Sequence, residues 1–209
     1  AAIDVGSGTG FMTSLLLSEF LCPVHAVDVA PGMIEWLNSY IQTPRLRTHL
    51  LDGQALHPDM LPLPRPAILV SSMCVQWFDQ LENALQEWQK MADIVCLSVL
   101  LDGSFEAWHG AHLQTGQKAG LRPLPKEAEL IAMLNRFTEQ GLTSNYCFKT
   151  LDFLDYQLDG LSFARSLRAI GADTPKAHHR PVNLRAVINE LGVGCTMNYK
   201  VGFIYLSRL

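Results

Sequence analysis

This sequence predicts an α/β fold: a doubly wound, Rossmann-like sheet, mostly parallel with an antiparallel last strand, and a small helical cap. Three observations carry the prediction. The opening stretch Ala1-Ala2-Ile3-Asp4-Val5-Gly6-Ser7-Gly8-Thr9-Gly10 passes from a short apolar run through alternating glycines into a helix-like run over 11–17. From there to residue 101, strand-like apolar runs alternate with amphipathic ones, the rhythm of parallel strand–helix–strand units. Residues 195–207 then read as one long alternating strand at the far side of the sheet.

Composition sets the bounds. With 209 residues, 48% hydrophobic and 17% charged, the chain supports one sizeable domain with a full core. A net charge of −4 argues against a general nucleic-acid binder. No apolar run has membrane-spanning length, and no cysteine or histidine spacing suggests a metal. Five widely spaced cysteines, Cys22, Cys74, Cys96, Cys147 and Cys195, suit reduced thiols in a cytoplasm.

In the first unit a buried strand turns sharply into a helix. Gly6, Gly8 and Gly10 let a ligand approach the turn closely, and the helix offers free N–H groups at its start. The spacing is G-x-G-x-G, not the dinucleotide pattern G-x-G-x-x-G, whose last glycine is replaced by Phe11. No lysine follows, so a phosphate loop is also excluded. A second strand over 24–29 carries Asp28 near its tip, where a carboxylate can accept from both ribose hydroxyls; a helix-capping aspartate is the other reading. Pro31 marks the next helix start, and Met33 within it fits core packing. The third strand, 46–51, ends at Asp52-Gly53-Gln54, where Asp52 also fits a simple turn. A fourth strand over 67–72 and a helix over 81–91, capped by Asp79, precede the fifth strand, 94–101. Helices over 105–118 and 125–136, with Trp108, Leu113, Leu130 and Leu134 inward, fit a cap inserted over 102–141. A strand over 145–148, helices over 155–170 and 181–191, and the last strand complete the sheet and a substrate helix over 142–209; residues 1–101 form the cofactor half.

The run Asp4 to Gly10 resembles the first motif of class I S-adenosylmethionine-dependent methyltransferases, and residues 28–33 resemble their second. The resemblance implies that Asp4 sits behind the glycine turn, that Gly6, Gly8 and Gly10 hold the amino-acid end of the cofactor, and that Asp28 meets the ribose. Met33 would flank the adenine and Asp52 accept from its amino group, with Gln54 close by and Gly53 permitting close approach. Ser72, standing where the family usually has asparagine, completes the cofactor set. The product would be S-adenosyl-L-homocysteine.

The runs 71–77, 103–106, 162–172 and 196–203 narrow the resemblance to the malonyl-acyl-carrier-protein O-methyltransferases of biotin synthesis. That implies methyl transfer to the free carboxylate of a malonyl thioester, on acyl carrier protein or coenzyme A, with Gln76 and Trp77 at the substrate. A carboxylate is already an anion near neutral pH, so no general base is needed, and an arginine fork is the natural clamp. Arg165 is the expected catalytic clamp and Arg168 the second choice, on a helix face shared with Ser162 and stopped at Gly171; a merely solvated face is the alternative. Arg165, Arg168, Lys176, His178, His179, Arg180 and Arg185 would form a basic surface for an acidic carrier. The chain starts inside its first strand, so a leading segment is expected before it. Another small carboxylate or metabolite as acceptor, or a non-catalytic binding module, are the alternative functions.

Overall fold

A computed structural model describes residues 1–61, 63–64, 67–169 and 182–208. Its elements run β1 (Ala2–Val5), α1 (Phe11–Glu19), β2 (Val24–Asp28), α2 (Pro31–Tyr40), β3 (Leu46–Leu50), β4 (Ile68–Ser72), α3 (Leu81–Met91), β5 (Ile94–Leu100), α4 (Glu106–Gln114), α5 (Glu127–Glu139), β6 (Asn145–Tyr156), α6 (Gly160–Ala169), α7 (Leu184–Leu191) and β7 (Thr196–Ser207). Seven strands make one sheet in the order β3-β2-β1-β4-β5-β7-β6. The pairs β1–β2, β2–β3, β1–β4 and β4–β5 are parallel. Arg208 N–H donates to Asp93 O and Leu101 N–H to Lys200 O, so β7 runs antiparallel to β5. Ser144 N–H to Ser207 O and Gln157 N–H to Cys195 O give the same sense against β6. The strand order reverses between β1 and β4, which places the ligand crevice of a doubly wound sheet at their carboxyl ends.

The chain divides into two compact units, residues 1–99 with 127–149 and 202–209, and residues 100–126 with 150–201. In the first, β1 is buried along its whole length, as expected of a central parallel strand. On one face Ala2, Val24 and Val70 pack with Leu16 and Leu17 of α1. Trp88 of α3 is fully buried, sets its ring edge-on to Phe78, and donates from Nε1 to Gly53 O at 3.0 Å. That tryptophan pins the stretch following β3 to α3. Asp79 does not cap α3: the N-cap is Gln80, and Gln54 Oε1 accepts the N–H groups of Asp79 and Gln80 at 2.5 and 3.0 Å. A glutamine from a distant turn reaches these orphan donors, a pairing that local sequence cannot reveal.

The second unit is built on aromatic contacts. Phe163 of α6 is fully buried, with Phe105 and Trp108 rings at 5.8 and 5.3 Å, and Phe105 meets Tyr199 at 4.9 Å. Asn198 of β7 brackets the start of α4, donating to Gly103 O and accepting from Glu106 N–H. Leu113 corrects the sequence reading: it is 77% exposed, while Trp108, Ala111 and His112 form the buried stripe of α4. The helices α4 and α5, read from sequence as one cap, fall in different units. A second correction concerns residues 155–156, expected in a helix: β6 continues to Tyr156 and α6 begins at Gly160. Asp159 sets that start, its Oδ1 accepting Ser162 N–H at 2.7 Å.

Candidate functional site

Three glycines in the β1–α1 turn have positive φ, and their missing Cβ atoms answer two different needs. A Cβ on Gly6 (φ 74°) would lie 2.2 Å from Cys74 Sγ, and one on Gly10 (φ 89°) 2.3 Å from Leu37 Cδ2. Those two glycines close the turn against its own protein. Around Gly8 (φ 51°) no atom lies within 4 Å of the Cβ position, so the turn presents bare backbone to open space there.

The turn is held from two sides. Asp28, at the tip of β2, accepts Gly8 N–H through Oδ2 at 2.8 Å and Ala30 N–H through Oδ1 at 2.9 Å. It therefore ties the glycine turn to the start of α2, combining a cap-like contact with the position expected of a ribose ligand. Each oxygen accepts one of these bonds, and a carboxylate has about four acceptor sites in all, so capacity for a ligand hydroxyl remains. Beneath the turn, Asp4 is buried to 1% exposure and accepts from Thr13 Oγ1 at 2.6 Å. That bond ties the end of β1 to the first turn of α1.

Burial lifts the Asp4 carboxyl from its ordinary 3.8 to about 6; the Thr13 hydrogen bond pulls the other way, and the charge of Asp28 adds to the rise. Because the folded-state value is raised, the unfolded chain loses this proton first as pH rises. The buried carboxyl thus costs nothing below pH 4 and about 3 kcal/mol of stability once pH passes 6. Asp4→Asn is expected to gain stability relative to the parent between pH 4 and pH 7, read from denaturant midpoints at each pH. A pH-independent difference between the two proteins would refute the assignment.

After β3 the chain turns at Asp52. Asp52 is exposed and accepts Gln54 N–H at 2.9 Å, forming the turn that was the alternative reading. Gly53 is buried, and its Cβ position lies 2.4 Å from Val5 Cγ1, so the missing side chain lets this turn pack closely against β1. Gln54, expected near the adenine, spends its side-chain oxygen on α3. Met33 sits half-buried in the first turn of α2, its N–H bonded to Ala30 O.

At the end of β4, Ser72 Oγ lies 3.2 Å from Ser98 Oγ of β5. Met73 then takes φ 54°, rare for a residue with a side chain. Its N–H donates to Ser98 O at 3.0 Å and to Ser98 Oγ at 3.3 Å, and its carbonyl accepts Gln76 Nε2 at 2.7 Å. Gln76 and Trp77 are half-buried in the short 3-10 turn Val75–Trp77. Cys74, wedged under Gly6, has its thiol pushed up to about 12, first by burial and then by the nearby acids, so it is no nucleophile. Thr13 and Ser98 are missed by sequence reasoning, because neither carries a pattern; the turn into α1 brings Thr13 to Asp4, and the β4–β5 pairing brings Ser98 to Met73.

In the second unit, Arg165 and Arg168 are exposed on α6, opposite buried Phe163 and Leu167. Arg185 is exposed on α7. Lys176, His178, His179, Arg180 and Gly171 lie outside the described residues.

Residues 2–93 match the family described as "Methyltransferase domain". The chain is 29% identical over 213 residues to the biotin biosynthesis bifunctional protein BioCD of Bordetella avium, covering 96% of this chain but 42% of that protein. It is 27% identical over 225 residues to the malonyl-[acyl-carrier protein] O-methyltransferase of Magnetococcus marinus, covering 99% of this chain and 77% of the relative. Among solved structures, the YcgJ protein of Bacillus subtilis superposes with a TM-score of 0.66 at 16% identity, covering 100% of this chain and 92% of that one, a likeness of fold. The matched methyltransferase domain spans the half of the sheet that carries the glycine turn, and relatives named malonyl-[acyl-carrier protein] O-methyltransferase align along nearly the whole chain.

Proposed function

We propose that this protein methylates the free carboxylate of a malonyl thioester, carried on acyl carrier protein or coenzyme A, in biotin synthesis. The observation that carries the proposal is the likeness to proteins named malonyl-[acyl-carrier protein] O-methyltransferase along 99% of the chain, which includes α6 and its arginines as well as the cofactor half.

Bound S-adenosylmethionine supplies a methyl group made electrophilic by its sulfonium. The remaining work falls to the chain. The Gly6–Gly10 turn receives the amino-acid end, Asp28 accepts from the ribose hydroxyls, and Asp52 and Met33 serve the adenine. The acceptor carboxylate is a nucleophile without deprotonation, so catalysis needs orientation and removal of water rather than a base. Arg165 supplies a planar, permanently charged fork for that carboxylate, with Arg168 beside it one helical turn on. Gln76 and Trp77 line the acceptor, and exposed Arg165, Arg168 and Arg185 contribute to a surface for an acidic carrier.

The test is transfer of labelled methyl from S-adenosylmethionine to malonyl-carrier protein and to malonyl-coenzyme A, with alkaline release of label as the signature of an ester. Label on either thioester, absent with acetyl thioesters, is the expected result. Cofactor binding without transfer to any malonyl thioester would sink the proposal and leave either another acceptor or a non-catalytic module.

A further inference from the structure

β6 is twelve residues long and ends the strand order, with β7 on one side and no described strand on the other. None of its residues is fully buried, and it displays Leu151 (38% exposed), Leu154 (60%) and Tyr156 (77%). A long edge strand with large apolar side chains is a template for pairing with another strand. Proteins usually blunt such edges with proline, bulges or repeated lysines; β6 has no proline and a single lysine, Lys149.

The sequence of β6 is complementary to itself. In an antiparallel pair of identical strands related by a two-fold axis, hydrogen-bonded and non-hydrogen-bonded positions alternate, so one residue must face its own copy. With Leu151 on the axis facing its own copy, Leu154 falls opposite Phe148 of the second copy and Tyr156 opposite Tyr146, so both of these exposed groups meet an aromatic ring. Asp152 falls opposite half-buried Thr150. Lys149 falls opposite Phe153 and diagonal to Asp155, which gives the cation a ring and a carboxylate. No like charges oppose one another. Moving the axis to Thr150 sets Asp152 against Phe148 and Lys149 against Leu151, which desolvates both charges without partners. Moving it to Asp152 stacks two carboxylates on each other.

We propose that the β6 edge is the interface of a symmetric homodimer, with the second copy's β6 added antiparallel about Leu151. The two sheets become one of fourteen strands, and the paired segment, about 11 residues a side, spans roughly 35 Å at the usual strand rise.

The test uses the residue that faces itself. The full chain should sediment as a dimer at micromolar concentration. Leu151→Lys and Leu151→Asp should each sediment as monomers, because like charges then oppose each other on the axis. An equimolar mixture of the two should sediment as a heterodimer, which also shows that both variants fold. A monomeric parent at 100 µM would overturn the proposal, as would a dimer indifferent to Leu151→Lys. Two monomeric variants that fail to pair while keeping the parent's circular dichroism would overturn the Leu151 register. None of these outcomes depends on methyl transfer.

Discussion

Asp28→Ala is expected to weaken S-adenosylmethionine binding by about 100-fold or more, the largest effect foreseen for any single change in the crevice. The side chain does two jobs at once. Its Oδ2 fixes Gly8 N–H and its Oδ1 fixes Ala30 N–H, so truncation frees both the glycine turn and the entry to α2. If Asp28 meets the ribose as proposed, the same truncation also removes the acceptor for its hydroxyls. Asp28→Asn keeps one side-chain oxygen but turns the other position into a donor facing an N–H, so it should recover only part of the loss. Calorimetric titration with S-adenosylhomocysteine measures this directly. An unchanged dissociation constant in Asp28→Ala, in a protein of parental stability, would show that Asp28 is a structural cap alone.

Arg165→Ala is expected to lower kcat/KM on a malonyl thioester by about 10²–10³, or roughly 3–4 kcal/mol of transition-state stabilisation, with cofactor affinity unchanged. Arg165 is exposed on α6 while Phe163 and Leu167 supply the buried side of that helix, so truncation removes charge without opening the core. Arg165→Lys should recover only part of the rate, since a point charge cannot pair with both carboxylate oxygens in a plane. Arg168→Ala serves as the comparison. If Arg168→Ala loses the rate and Arg165→Ala does not, the clamp is Arg168; if neither does, the carboxylate is held elsewhere. Raised KM with unchanged kcat in both would point to carrier docking.

Most of the strand and helix pattern could be read from the chain because parallel strands and their helices announce themselves locally. The span of α3 matches the stripe of Leu81, Leu85 and Trp88, and β1 and the glycine turn stand as read. Reading was weakest where a side chain answers a partner far away in sequence. Leu113 looked inward by spacing, yet the stripe of α4 is set by Trp108 and His112. Tyr156 looked helical, but pairing with β7 holds it in a strand.

The glycine spacing by itself determined a sharp strand-to-helix turn with bare backbone and pointed to a ligand there, since alternating residues without Cβ between a buried strand and a helix serve few other ends. It also determined that Asp4 and Asp28 belong to that turn. Only the tertiary structure decided which glycine faces open space and which face protein: Gly8 is open, while Gly6, Gly10 and Gly53 are filled by Cys74, Leu37 and Val5. It likewise decided that Gln54 caps a helix and that Ser98 holds the turn after β4. The physical reason is that a missing Cβ, or an unpaired amide, is a local property written in one residue. What occupies that space, or accepts that bond, depends on which strands lie side by side.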